Sequence, residues 1–201
     1  MREPMTRLRI VLTGGPGGGK STLIEELASD PAFTGRIVAL PEAIYALREQ
    51  GISPREKLFQ LAIVQRQMEL EDEANRVLGP GDGRALVCHR GSLDPLAFWR
   101  QRGWPQDEFF DFTATSRPDH YARYAGVIHL VTAADGAPDA YTRWPDAHRP
   151  ETPEESIALD RWLAEAWGGH PAYYRIDNAG RGWAAKSAAA REVLARIIDN
   201  R

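Results

Sequence analysis

Apolar residues recur along this chain in short runs that alternate with longer stretches of helical spacing. Residues 8–12 carry Leu8, Ile10, Val11 and Leu12, a short apolar strand. Residues 21–28, Ser-Thr-Leu-Ile-Glu-Glu-Leu-Ala, read as an amphipathic helix. A second strand is predicted over 36–40 and a helix from about Ala43. Residues 54–78 read as a long helix, with Pro54 in its first turn and Gly79-Pro80-Gly81 ending it. Further strands are predicted at 85–88, 127–131 and 173–176, and a closing helix from Trp183 to about Ile198.

Five strands separated by helices imply an α/β fold with a parallel sheet covered on both faces. Ligands on such sheets sit at the carboxyl ends of the strands. The functional residues are therefore expected just after each strand. The 201 residues suffice for one domain, expected to span 1–201.

Composition narrows the function. A formal net charge of −3 argues against a protein built around nucleic-acid backbones. Cys88 is the only cysteine, so no intrachain disulfide can form, which fits a reducing compartment. No apolar run reaches membrane-spanning length, and the first residues lack the pattern of a secretion signal. A cytoplasmic protein is expected.

The first strand runs into residues 14–21, Gly-Gly-Pro-Gly-Gly-Gly-Lys-Ser, which fit Gly-x-x-x-x-Gly-Lys-Ser/Thr. Glycines let successive backbone N–H groups turn inward around phosphates. Strand, loop and helix follow in the order that a phosphate site needs. Gly15, Gly17, Gly18, Gly19, Lys20, Ser21 and Thr22 are the expected nucleotide-binding residues. Lys20 would place a charge on the β/γ-phosphates, and Ser21 would hold Mg²⁺.

The second strand ends in Pro41-Glu42. A carboxylate there can serve as a general base on an acceptor hydroxyl, hold a metal-bound water, or simply cap a helix. The third ends in His89-Arg90-Gly-Ser-Leu-Asp94. Arg90 suits a phosphate or substrate contact through its planar fork. Many P-loop enzymes place an acidic residue at this strand end to hold Mg²⁺, but here it is His89, and imidazole is a poor Mg²⁺ ligand. Asp94 is the expected metal-holding replacement, with His89 orienting water or substrate as the other option.

About twenty residues after the fourth strand lack a periodic pattern and carry Tyr141, Arg143, Trp144, His148 and Arg149. A lid over about 135–153 is expected, with arginines that neutralise a phosphoryl group in flight; a solvated loop is the alternative. The fifth strand ends in Asp177-Asn178, a turn that either packs on a purine base or is an ordinary turn. Gln65 falls at inward-facing spacing on the long helix, and His129 reads as a hydrogen-bonded core residue.

Residues 13–22, Pro41-Glu42, Phe59-Gln60 with Gln67-Met-Glu69, the 88–94 segment, Arg149-Pro-Glu-Thr152 and His170-Pro171 occur in an order that resembles the NadR/TRPL-translocation-defect-type P-loop ATPases, relatives of nucleoside and thymidylate kinases. The resemblance implies a P-loop NTPase three-layer α/β/α sandwich with strand order 2-3-1-4-5 and a lid. It implies ATP, or GTP, with Mg²⁺. It also implies Glu42 as base, Arg90 as the arginine of the acidic-Arg motif, and Arg149 as a lid arginine. Many relatives have Asp where this chain has His89.

Two functions fit. One is a small-molecule kinase that moves the ATP γ-phosphoryl to a nucleoside-like or other small hydroxyl acceptor. The other is an ATP/GTP-binding regulator with slow NTPase activity. A small G protein fits less well, because no Asn-Lys-x-Asp base-reading motif is present.

Overall fold

A computed structural model describes residues 7–48, 56–141, 151–179 and 182–200. In chain order the elements are β1 (Arg9–Thr13), α1 (Lys20–Ser29), β2 (Ile37–Leu40), α2 (Ala43–Arg48), α3 (Lys57–Leu78), β3 (Ala85–His89), α4 (Asp94–Gln101), α5 (Gln106–Thr113), α6 (Arg117–Ala122), β4 (Gly126–Leu130), α7 (Pro153–Trp167), β5 (Tyr173–Ile176) and α8 (Gly182–Asp199), with a 3₁₀ turn at Pro138–Ala140. The expected strands lie within a residue or two of their observed ends. The long helix is seen from Lys57, and Pro54 lies outside the described residues. Helices α5 and α6 have no counterpart in the periodicity reading; α6 is started by a Ser116–Asp119 capping box.

The five strands form one parallel sheet in the order β2-β3-β1-β4-β5, as the resemblance implies. The period-2 alternation explains how it is covered. Ile10 and Leu12 of β1, Ala85 and Val87 of β3, and Ile128 and Leu130 of β4 point to one face, where α1 and α8 supply Leu23, Leu27, Ala190 and Leu194. The intervening Val11, Leu86, Cys88 and Val127 point to the other face, against Val64 of α3, Trp99 of α4, Phe109 of α5 and Trp167 of α7. The central strands β1, β3 and β4 are buried on both faces, which is why they read as apolar runs, whereas the edge strands β2 and β5 are only partly covered.

The register delivers the strand ends to one place. Leu12 pairs with His89 on one side of β1, and Thr13 with His129 on the other. Leu40 pairs with Cys88, so the segment after β2 emerges beside the segment after β3. Among the described residues no helix is long and apolar enough to cross a membrane.

Candidate active site

The loop after β1 is shaped by close backbone approach. Gly14 has φ 125°, and a Cβ on it would sit 2.0 Å from the Leu130 carbonyl oxygen. Gly19 has φ 93°, and a Cβ there would sit 2.1 Å from the Trp183 ring. Both positions require glycine on two counts, the left-handed backbone and the missing space. Lys20, the first residue of α1, is buried and donates to the carbonyls of Gly14 at 2.7 Å and Gly15 at 3.0 Å.

A cleft of about 270 Å³ opens above this loop. Gly17, Gly18, Gly19, Lys20, Ser21 and Thr22 line its floor, and Asn178, Trp183 and Lys186 line its far side. Gly15 belongs to the layer beneath. Its N–H donates to Asp160 Oδ1 at 2.7 Å and its carbonyl accepts from Lys20 and from Gly18 N at 3.2 Å.

Asn178 spends its side chain on the protein. Its Nδ2 donates to the carbonyls of Thr132 at 2.7 Å and Asp135 at 2.6 Å, and its Oδ1 accepts from Lys186 at 2.9 Å. It therefore fastens the β4 exit to the β5 exit along the wall of the cleft. Lys186 also donates to the Val131 carbonyl. Burial pulls the Lys186 ammonium down to about 8. Trp183 is held by its Nε1–H to Glu26 Oε1 at 2.6 Å, which sets its ring against the phosphate loop.

Beside Ser21 the ends of β2 and β3 converge. Ser21 Oγ lies 3.3 Å from His89 Nε2. On the other edge of that imidazole, Nδ1 lies 3.2 Å from Glu42 Oε2, without the alignment of a hydrogen bond. Glu42 Oε1 accepts from Arg90 Nε at 2.6 Å, and Arg90 Nη1 donates to Asp94 Oδ2 at 3.0 Å. Arg90 has φ 73°, a left-handed backbone rare for a residue with a side chain. Such strain persists where surrounding bonds over-determine it, here the two carboxylates and the Arg90 N–H to Leu12 carbonyl bond of 3.0 Å.

These contacts set the charges. Burial pushes the Glu42 carboxyl up, but Arg90, His89 and Lys20 together outweigh it and hold it well below the usual carboxylate range. Burial pulls His89 below its ordinary value against the opposing pull of Glu42.

The expectation that Asp94 holds a metal is not met by its surroundings. Its Oδ2 accepts from Thr13 Oγ1 at 2.9 Å and from Arg90, and its Oδ1 from Trp167 Nε1 at 2.8 Å and Gly91 N at 3.4 Å. Two donors on each oxygen, with the residue 1% exposed, leave no lone pair for a cation. Asp94 anchors Arg90 instead.

Asp160 escaped the sequence reading. It projects from α7 and accepts from two backbone donors, Gly15 N at 2.7 Å and Thr132 N at 3.0 Å. Its Oδ2 lies 3.0 Å from His129 Nε2, while His129 Nδ1 meets the Tyr173 hydroxyl at 2.9 Å. His129 is thus the hydrogen-bonded core residue expected. A signal for Asp160 did exist: with Ser156, Leu159 and Leu163 it falls on the buried stripe of α7. An acid on that stripe needs buried partners.

Residues 142–150 of the proposed lid, among them Arg143, Trp144, His148 and Arg149, lie outside the described residues. Tyr141 rests its ring on Gly17, and its hydroxyl meets Ser156 Oγ at 2.6 Å. Gln65 is exposed; Gln60 and Gln67 are the buried glutamines of α3, and Gln67 donates to Glu71 at 3.0 Å.

A parallel sheet in this order, with a Gly-rich loop and helix at the end of its central strand, defines a P-loop nucleotide-binding protein of kinase-like fold. The chain belongs to the AAA_28 family, an AAA domain, whose profile matches residues 9–184. Solved structures of deoxyadenosine kinase from M. mycoides share the fold. The form with products dCMP and a flexible dCDP bound aligns with TM-score 0.61 at 14% identity, covering 94% of this chain and 100% of that one. The form with bound dATP aligns with TM-score 0.59 at 15% identity, covering 93% and 99%. Curated protein sequences give no significant match.

Proposed function

We propose that this protein is a phosphotransferase that moves the γ-phosphoryl of ATP to a hydroxyl of a nucleoside-like or other small acceptor. The observation that carries this reading is the Glu42–Arg90 pair at 2.6 Å, clamped by Asp94 beside the phosphate loop. A loop that only binds nucleotide has no need of a carboxylate held there at such structural cost.

In this reading Lys20 exchanges the Gly14 and Gly15 carbonyls for the β/γ-phosphates. Arg90 holds Glu42 in place. The acceptor oxygen bonds to the γ-phosphorus as the bond to the β–γ bridging oxygen breaks, and Glu42 receives the acceptor's proton. Arg149 is proposed to neutralise charge from the lid. The whole chain acts as one nucleotide-binding domain, in the manner of the NadR/TRPL-type ATPases that it resembles.

Mg²⁺, which the P-loop family implies, meets a donor set that does not suit it. Ser21 offers oxygen, but the side chain beside it offers nitrogen, and Asp94 is fully engaged.

The regulatory alternative has one observation in its favour. Glu42 sits between Arg90 and His89 with its proton affinity well below the ordinary range, which makes it a weak base. One experiment separates the two readings. Label transfer from ATP to a panel of nucleosides, nucleotides and vitamins is compared for wild type and Glu42→Gln. A kinase transfers label to an acceptor, and the variant transfers roughly 10²–10⁴-fold more slowly with near-normal ATP binding. Label that appears only in inorganic phosphate, with every acceptor, supports the regulator.

A further inference from the structure

The disagreement between His89 and Mg²⁺ has a geometric content. Two ligands bonded to one cation at about 2.1 Å stand about 3.0 Å apart at a right angle and about 3.4 Å apart at the tetrahedral angle. Ser21 Oγ and His89 Nε2 stand 3.3 Å apart. A cation could replace their hydrogen bond with both side chains where they are. The far edge of the imidazole faces a carboxylate, with Glu42 Oε2 3.2 Å from Nδ1. The carboxylate is close but out of hydrogen-bond alignment, so it favours a ring hydrogen on Nδ1, and with it a lone pair on Nε2 toward Ser21, by its charge alone. Carboxylate, imidazole and cation in a row is the arrangement by which proteins orient a metal-binding histidine. The ring is nine-tenths or more out of solvent, at 6% exposure, so the lone pair has little else to meet.

We propose that Ser21 Oγ and His89 Nε2 form a cis ligand pair for a nitrogen-accepting divalent cation, Mn²⁺ rather than Mg²⁺, which arrives with the nucleotide triphosphate. The remaining ligands are phosphate oxygens and water. Among the described residues no group of three His, Cys, Asp or Glu is arranged to hold a metal, so the pair needs the nucleotide to complete the shell. Imidazole is accepted by first-row transition ions, whereas Mg²⁺ keeps to oxygen. The proposal rests on the reading of the P-loop as a triphosphate site.

The test needs no turnover. Mn²⁺ and a non-hydrolysable imido analogue of ATP are added to protein carrying ordinary or ¹⁵N-labelled histidine, and pulsed EPR reads the nuclei bonded to manganese. A directly bonded nitrogen that changes isotope with the label is expected. Calorimetry should show the analogue bound roughly tenfold or more tightly with Mn²⁺ than with Mg²⁺. In His89→Asp the nitrogen coupling should vanish and the preference should shrink or reverse. The isotope exchange in the unaltered protein decides the matter even where that variant folds poorly. Tight binding with Mn²⁺ but no histidine coupling overturns the ligand pair and leaves the nucleotide site standing. No binding of the analogue with either ion overturns the nucleotide site, and this proposal with it.

Discussion

Asp160→Ala should damage the phosphate loop from beneath, without touching anything that meets a nucleotide. Asp160 is 4% exposed, and its Oδ1 accepts from Gly15 N at 2.7 Å and Thr132 N at 3.0 Å. Alanine leaves both backbone donors buried without a partner. A hydrogen bond to a charged group contributes about 1.5–3 kcal/mol, so losing two should cost about 3–6 kcal/mol. Asp160→Asn keeps an oxygen for both donors but gives up the charge and the oxygen that faces His129, so about 1–2 kcal/mol is expected. With a urea dependence of about 2 kcal/mol per molar, the alanine midpoint should fall by about 1.5–3 M. The pH dependence adds a second check. Burial pushes the Asp160 carboxyl up, but its bonds to His129, Gly15 and Thr132 hold it below the ordinary value. A depressed carboxyl stabilises the fold fully above the unfolded value of about 4, and that contribution is lost as pH falls through the folded value. The gap between wild type and Asp160→Asn should therefore narrow as pH falls below about 4. An alanine variant whose urea midpoint lies within about 0.5 M of wild type would refute the reasoning.

Lys20→Ala should weaken ATP binding by roughly 10–100-fold in titration calorimetry, at unchanged thermal stability, since its bonds to Gly14 and Gly15 are replaceable by water. Gly19→Ala should do more harm than the missing hydrogen suggests. It meets both a positive φ and the Trp183 ring, so a fall of several degrees in Tm is expected alongside lost nucleotide binding. A Gly19→Ala protein with wild-type Tm and ATP affinity would show that the ring moves aside freely.

The centre of the sheet was legible because β1, β3 and β4 are buried on both faces, so each stands out as an apolar run such as Ala85 to Cys88. The phosphate loop was legible because its chemistry is local: eight consecutive residues contain it. The strand-end rule singled out Glu42, His89 and Arg90 as candidates, and the pairing of Leu40 with Cys88 shows why it picks residues that lie together. Asp94 was misjudged because sequence shows a carboxylate without its partners. Trp167, which takes one of its oxygens, lies 73 positions away. Asp160 and Trp183 were missed as members of the site for the same reason. Each meets the loop through a contact that only the folded chain creates.

The bond from Asp160 to Gly15 spans 145 positions of the chain. On a ribosome, which synthesises the amino end first, the phosphate loop emerges 145 positions before the residue that holds its underside. β1 likewise lies between β3 and β4 and cannot gain its second neighbour until residue 126 has appeared. A chain that has not yet reached α7 therefore lacks the bond that supports its phosphate loop from beneath. A nucleotide held by this loop would act as a late ligand that seals a finished fold, not as a template around which the early chain condenses.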